Sequence, residues 1–120
     1  MNVLHEEYKI ILERKKNQFE EAEGGKSYTK YLFREGINKI LKKVGEETSE
    51  LIIAAKDASN GSGAEDAGKL VVGEAADLFY HVLMTLAELG IPLSDVEAEL
   101  EERARKAGNL KEFKMVDKNT

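Results

Sequence analysis
The chain has 120 residues, with 18 Lys and Arg against 23 Asp and Glu and a formal net charge of -5. That length suits one compact domain, the acidic balance argues against nucleic acid as the main partner, and the lack of cysteine removes disulfides, thiolate chemistry and zinc–sulfur sites. The polar, acidic start from Met1 to Glu7 does not read as a signal peptide, and no apolar run approaches the ~20 residues that span a bilayer, so a cytoplasmic protein with no membrane partner is expected.

The single proline and the abundance of Glu, Lys, Leu and Ala favour helices throughout. About five are expected, making an all-α bundle. The first runs from about Val3 to Ala22, with Leu4, Tyr8, Ile11, Leu12 and Phe19 on one side and Lys15 interrupting that face. Glu23-Gly24-Gly25-Lys26 breaks the chain. Ser27 or Thr29 then caps a short second helix that runs through Glu35, and Gly36 separates it from the third. The third, Ile37 to about Ser59, has a clear 3.6-residue period in Ile37, Ile40, Leu41, Val44, Leu51, Ile52 and Ala55. Asn60-Gly61-Ser62-Gly63 reads as a loop.

The fourth helix spans about Asp66 to Leu89. Its apolar positions, from Val71 and Val72 through Phe79 to Leu89, form a stripe too wide for a helix with one wet side. Burial against two partners is expected, within the chain or across a dimer interface. Gly90-Ile91-Pro92 ends it. Ser94-x-x-Glu97 reads as a capping box for the fifth, which Arg103, Arg105 and Lys106 suit electrostatically and Gly108 stops. One domain over residues 1–110 and a mobile tail over 111–120 are expected.

Two pairs of carboxylates carry most of the chemical information. Glu47-x-x-Glu50 lies on the third helix and Glu74-x-x-Asp77 on the fourth. Residues three apart share a helix face, so each pair makes a two-carboxylate claw. Half-buried carboxylates are costly unless paired or coordinating a cation. Salt bridges to a neighbouring helix are the plainer reading of any single one. Two claws on consecutive helices point instead to a hard divalent cation, Mg²⁺ first and Mn²⁺ second, held by oxygen alone. A di-iron bundle would need Glu-x-x-His, and neither His5 nor His81 has Glu three residues before it. His81 reads as a packing residue or a partner of Asp77, and His5 as incidental. Gly45 and Gly73 each stand shortly before a claw, where tolerance or close approach of a ligand or helix would explain them.

Lys39, Lys42 and Lys43 precede the first claw. They form a solvated face, or they meet the phosphates of a metal-bound substrate, with Lys43 the best placed.

The order of motifs resembles a known family. Ser27-Tyr28-Thr29 is followed by Leu32, Gly36, the run Ile40 to Glu50 containing Lys-Lys-Val-Gly-Glu-Glu, then Ala54-Ala55-Lys56 and Glu74-Ala75-Ala76-Asp77-Leu78-Phe79-Tyr80-His81. From about Ile11 to Ala104 the chain is similar to the phosphoribosyl-ATP pyrophosphohydrolases of histidine biosynthesis, within the MazG-type all-α nucleotide pyrophosphohydrolases. The resemblance implies a MazG-like bundle completed by dimerisation. It implies hydrolysis of phosphoribosyl-ATP to phosphoribosyl-AMP and pyrophosphate. Glu47, Glu50, Glu74 and Asp77 would hold Mg²⁺. Glu46 would orient or deprotonate the attacking water, although on the helical wheel it points away from Glu47. Lys43 and Lys42 would contact phosphate. Ser27 and Tyr28 would touch the substrate or simply cap and pack the second helix.

The loop between the claws, about Asp57 to Lys69, looks a few residues longer than is usual for the family. No cyclohydrolase domain precedes the rest, so a stand-alone enzyme is expected. The alternative is a MazG-type house-cleaning enzyme acting on ordinary or damaged nucleoside triphosphates, which shares every claw residue. A non-catalytic scaffold is the third reading, and the intact set of four acids speaks against it.

Overall fold
A computed structural model describes residues 2–20, 27–61 and 64–106, with backbone alone at 64 and 65. Five helices follow one another: α1 Val3–Lys16, α2 Tyr28–Glu35, α3 Ile37–Ser59, α4 Ala64–Leu89 and α5 Leu93–Arg105. No strand occurs among the described residues. The fold class is all-α, as expected.

Local chemistry explains most of the boundaries. The Asn2 side chain accepts from the His5 amide to open α1, and Ser27 accepts from the Lys30 amide to open α2. Gly36 joins α2 to α3 at φ +93°, a conformation that side-chain-bearing residues adopt at a cost. The end of α4 is a Schellman turn. Gly90, at φ +71°, donates to Ala87 O, and the Ile91 amide donates to Leu86 O.

Four expectations are corrected. Helix α1 stops at Lys16 and gives way to turns over 17–20, so Phe19 is exposed; Ala22 lies outside the described residues. The capping box at Ser94 does not form, because α5 already begins at Leu93 behind Pro92, where Leu93 is buried against the core. Glu97 instead holds His5, with Oε1 2.6 Å from Nε2, which gives His5 a tertiary partner. The stretch from Asp57 to Lys69 is mostly helical, since α3 extends to Ser59 and α4 starts at Ala64. Gly108 and the tail lie outside the described residues.

The core gathers Tyr8 and Ile11 of α1, Leu32 and Phe33 of α2, Ile40 of α3, Leu83, Met84 and Ala87 of α4, and Leu93. Lys15, which breaks the apolar pattern of α1, turns out to cap α4. Its Nζ donates to Ala87 O at 2.7 Å, which also accepts from the Gly90 amide, and to Glu88 O at 3.3 Å, in the last turn where helix carbonyls run short of donors.

The most extensive pairing is between α3 and α4, and α1 packs on α4 as well. By length and composition Asp66–Leu89 is apolar enough to cross a membrane, contrary to the reading above. Its packing along α3 and α1 is that of a central bundle helix. A second apolar face is left over. Val72 is 70% exposed, Phe79 55% and Ile52 62%, and Val82 and Leu41 are also exposed. Val72, Phe79 and Val82 share a side of α4 by helical spacing. Among the described residues nothing lies within 4 Å of where a Cβ would stand at Gly45 or Gly73, so no other described helix approaches either closely.

Candidate functional site
The antiparallel neighbours α3 and α4 bring the two claws together. Glu47, Glu50 and Glu74 can each offer a carboxylate oxygen within 4.8 Å of the others. Asp77, one turn after Glu74, is exposed and outside that trio, since aspartate holds its carboxylate nearer its own backbone than glutamate does. Its charge still reaches both Glu47 and Glu74.

Glu47 is 7% exposed. Burial is the main reason its carboxyl holds its proton above the usual carboxylate range, followed by the negative charge and hydrogen-bonding contact of Glu50 and the charge of Asp77; Lys43 opposes them. Glu74 is raised first by the hydrogen-bonded Glu50 carboxyl and then by burial and the other acids. Glu47 Oε2 and Glu74 Oε2 are buried with no hydrogen-bond partner among the described residues. Orphaned, mutually repelling carboxylate oxygens, only partly offset by Lys43, are a donor set short of positive charge. Hard oxygen donors fit Mg²⁺ or Mn²⁺.

Lys43 stands on the turn before the trio. Its Nζ is 3.1 Å from Glu46 Oε2 and 3.8 Å from Glu47 Oε1. The hydrogen bond from Lys43 is the chief reason that the Glu46 carboxyl sits below its usual range. Glu46 thus reaches the site through Lys43 and is not one of the three acids whose oxygens converge. Lys42 is exposed, and its charge is felt at Glu46. Ser27 is committed to capping α2, with its Oγ 3.2 Å from the Lys30 amide, and also accepts from Arg14 at 3.4 Å.

Tyr28 lies close enough to Lys43, Glu47, Glu46 and Asp77 to feel their charges, and its hydroxyl is 2.9 Å from His81 Nε2. Sequence reasoning placed His81 beside Asp77 and missed Tyr28 as its partner. The signal available was the four-residue step from Asp77 to His81, which puts the imidazole one turn above the claw, with Nδ1 2.7 Å from Asp77 O. Tyr80 packs against both rings and bonds Thr29 through its hydroxyl.

The arrangement can hold a hard cation, present a lysine to an anion and place a phenol at the rim. Residues 5–104 match the family model described as phosphoribosyl-ATP pyrophosphohydrolase. The chain is 47% identical to a phosphoribosyl-ATP pyrophosphatase of Pelotomaculum thermopropionicum, over 88% of this chain and 94% of that one. It is 44% identical to a phosphoribosyl-ATP pyrophosphatase of Listeria welshimeri, over 98% and 97% respectively. It is 42% identical to the histidine biosynthesis bifunctional protein HisIE of Lactococcus lactis, over 93% of this chain and 47% of that longer protein.

Proposed function
Since the chain belongs to the phosphoribosyl-ATP pyrophosphohydrolase family, we infer that it works as that enzyme through the carboxylates shared by α3 and α4. It hydrolyses phosphoribosyl-ATP to phosphoribosyl-AMP and pyrophosphate, a step of histidine biosynthesis. The observation that carries the site assignment is the trio Glu47, Glu50 and Glu74 with two buried, unpartnered oxygens between helices. Water attacks at the α–β phosphoanhydride, that bond breaks, and pyrophosphate leaves.

In this reading Glu47, Glu50 and Glu74 hold Mg²⁺, or Mn²⁺ as second choice, and Asp77 completes the acidic set. The chemistry a bound divalent ion supplies is charge neutralisation along the polyphosphate and a lowered pKa for the attacking water. Lys43 adds a point charge for a phosphate oxygen, with Lys42 behind it. Glu46, drawn into an ion pair that weakens it as a base, holds Lys43 and orients water rather than taking its proton. Ser27 serves α2 as a cap, and Tyr28 contacts substrate. Action in the cytoplasm goes with this reading.

The test is pyrophosphate release from phosphoribosyl-ATP beside ATP and dCTP. Metal-dependent release from phosphoribosyl-ATP alone is expected. Comparable release from ATP and dCTP would instead support the house-cleaning activity, and none from any of them would remove the catalytic reading.

The exposed apolar side chains of α3 and α4 support a homodimer, since Ile52, Val72 and Phe79 each stay more than half exposed in the single chain, surface that a second copy would cover. Sedimentation should give twice the mass of the 13.4 kDa chain. Phe79→Glu should shift it to the monomer, and a wild-type monomer at micromolar concentration would rule the dimer out.

A further inference from the structure
Tyr28 opens α2, with its ring half-exposed at the rim of the carboxylate site. Its hydroxyl is 2.9 Å from Nε2 of His81, a residue only 4% exposed. The other ring nitrogen, Nδ1, is 2.7 Å from the backbone carbonyl of Asp77. A carbonyl oxygen only accepts, so Nδ1 carries the hydrogen, and in a neutral imidazole Nε2 is then an acceptor. The Tyr28 hydroxyl donates to it. An ordinary phenol keeps its proton at neutral pH, so the hydroxyl has one hydrogen to give that bond.

With its one hydrogen committed to His81, the phenol oxygen has only lone pairs to present. Phosphate oxygens are acceptors too, and two acceptors face to face repel. A phenol held this way selects an O–H or N–H donor. Its ring is also pinned. Tyr80 stacks on it with centroids 6.3 Å apart, and His81 meets it edge-on at 5.9 Å. An acceptor fixed by packing and a buried partner is pre-organised for recognition.

Resting on the phosphoribosyl-ATP reading, we propose that His81 is a positioning residue that fixes Tyr28 as the acceptor for a ribose hydroxyl in the nucleoside triphosphate part of the substrate. The ribose is the donor-bearing group joined directly to the phosphate chain. It therefore comes nearest to a phenol that stands among Glu47, Asp77 and Lys43.

Steady-state kinetics on the full chain test this. Tyr28→Phe keeps the ring and its packing; it should raise KM for phosphoribosyl-ATP about tenfold and leave kcat within about twofold. His81→Phe should do the same, and the double variant should be no worse than either single one. The inhibition constant of pyrophosphate should not change in Tyr28→Phe. The wild type should lose a similar factor on the phosphoribosyl derivative of either 2′-deoxy-ATP or 3′-deoxy-ATP, and Tyr28→Phe should lose nothing more on that compound.

An unchanged KM in Tyr28→Phe overturns the proposal. A pyrophosphate inhibition constant that rises with KM overturns it in favour of a phenol donating to phosphate. A full Tyr28→Phe penalty on both deoxy compounds overturns it in favour of a contact with the base or with the ribose of the phosphoribosyl group. Absence of wild-type turnover of phosphoribosyl-ATP is a different failure, because it removes the underlying activity first.

Discussion
Glu50→Gln is expected to slow pyrophosphate release from phosphoribosyl-ATP by at least ~100-fold, the scale of losing one electrostatic stabiliser of a transition state. Glu50 is the carboxylate that meets both of the others in the trio. It contributes the largest upward push on Glu74 and, after burial, the largest on Glu47. Glutamine keeps its volume and removes its charge. The substitution should therefore leave helix content unchanged and, without metal, relieve the repulsion that folding imposes on Glu47 and Glu74. A melting temperature in EDTA equal to or above that of the wild type would separate loss of chemistry from loss of fold. Asp77→Asn should cost a similar factor. Glu101→Gln, which touches only an exposed ion pair with Arg105 on α5, should cost nothing measurable. Wild-type turnover in Glu50→Gln or Asp77→Asn would remove the metal-site assignment.

The second large effect is a metal- and pH-dependent stability. Both Glu47 and Glu74 bind their protons more tightly in the folded, metal-free chain than at the ordinary value of 4.5. Between that value and the raised ones, the folded state carries protons that the unfolded state has lost. Stability of the metal-free protein must therefore fall as pH rises through that window, and the penalty is fully present above it. Mg²⁺ binds the deprotonated carboxylates, so its stabilisation should grow over the same window. At a concentration ~100 times the dissociation constant it adds about 2.7 kcal/mol, a rise in melting temperature of about 10 °C. Thermal melts from pH 4 to pH 8, with Mg²⁺ and with EDTA, check this. EDTA should also abolish turnover, and Glu47→Gln should flatten both the pH slope and the Mg²⁺ response. A melting temperature indifferent to Mg²⁺ at pH 8, with turnover that survives EDTA, would leave the carboxylates without a cation to hold.

The parts of the fold legible in the sequence are those decided within a turn or two of chain. The Ser27 cap, the Gly36 break and the bounds of α3 follow from side chains bonding nearby amides, from φ +93° and from an unbroken 3.6-residue period. Ser94-x-x-Glu97 misled because local capping competes with burial, and burying Leu93 moved the start of α5 forward. Lys15 looked like a flaw in α1 because its partners, Ala87 and Glu88, are about seventy residues away in sequence.

The candidate site divides in the same way. Spacing alone paired Glu47 with Glu50 and Glu74 with Asp77, since a helix turn fixes which side chains share a face. The sequence by itself thus determined the all-α class, the two claws and, through its motif order, the family. The tertiary structure alone decided that Glu50 meets Glu74 while Asp77 stands back, that Glu46 joins the site through Lys43, and that Tyr28 meets His81. It also left Ile52, Val72 and Phe79 facing outward. The physical reason is common to all of these. Helix periodicity sets directions around one axis, but distances between groups on different helices depend on how two axes cross and how deeply each side chain is buried, and neither quantity is a local property of the chain.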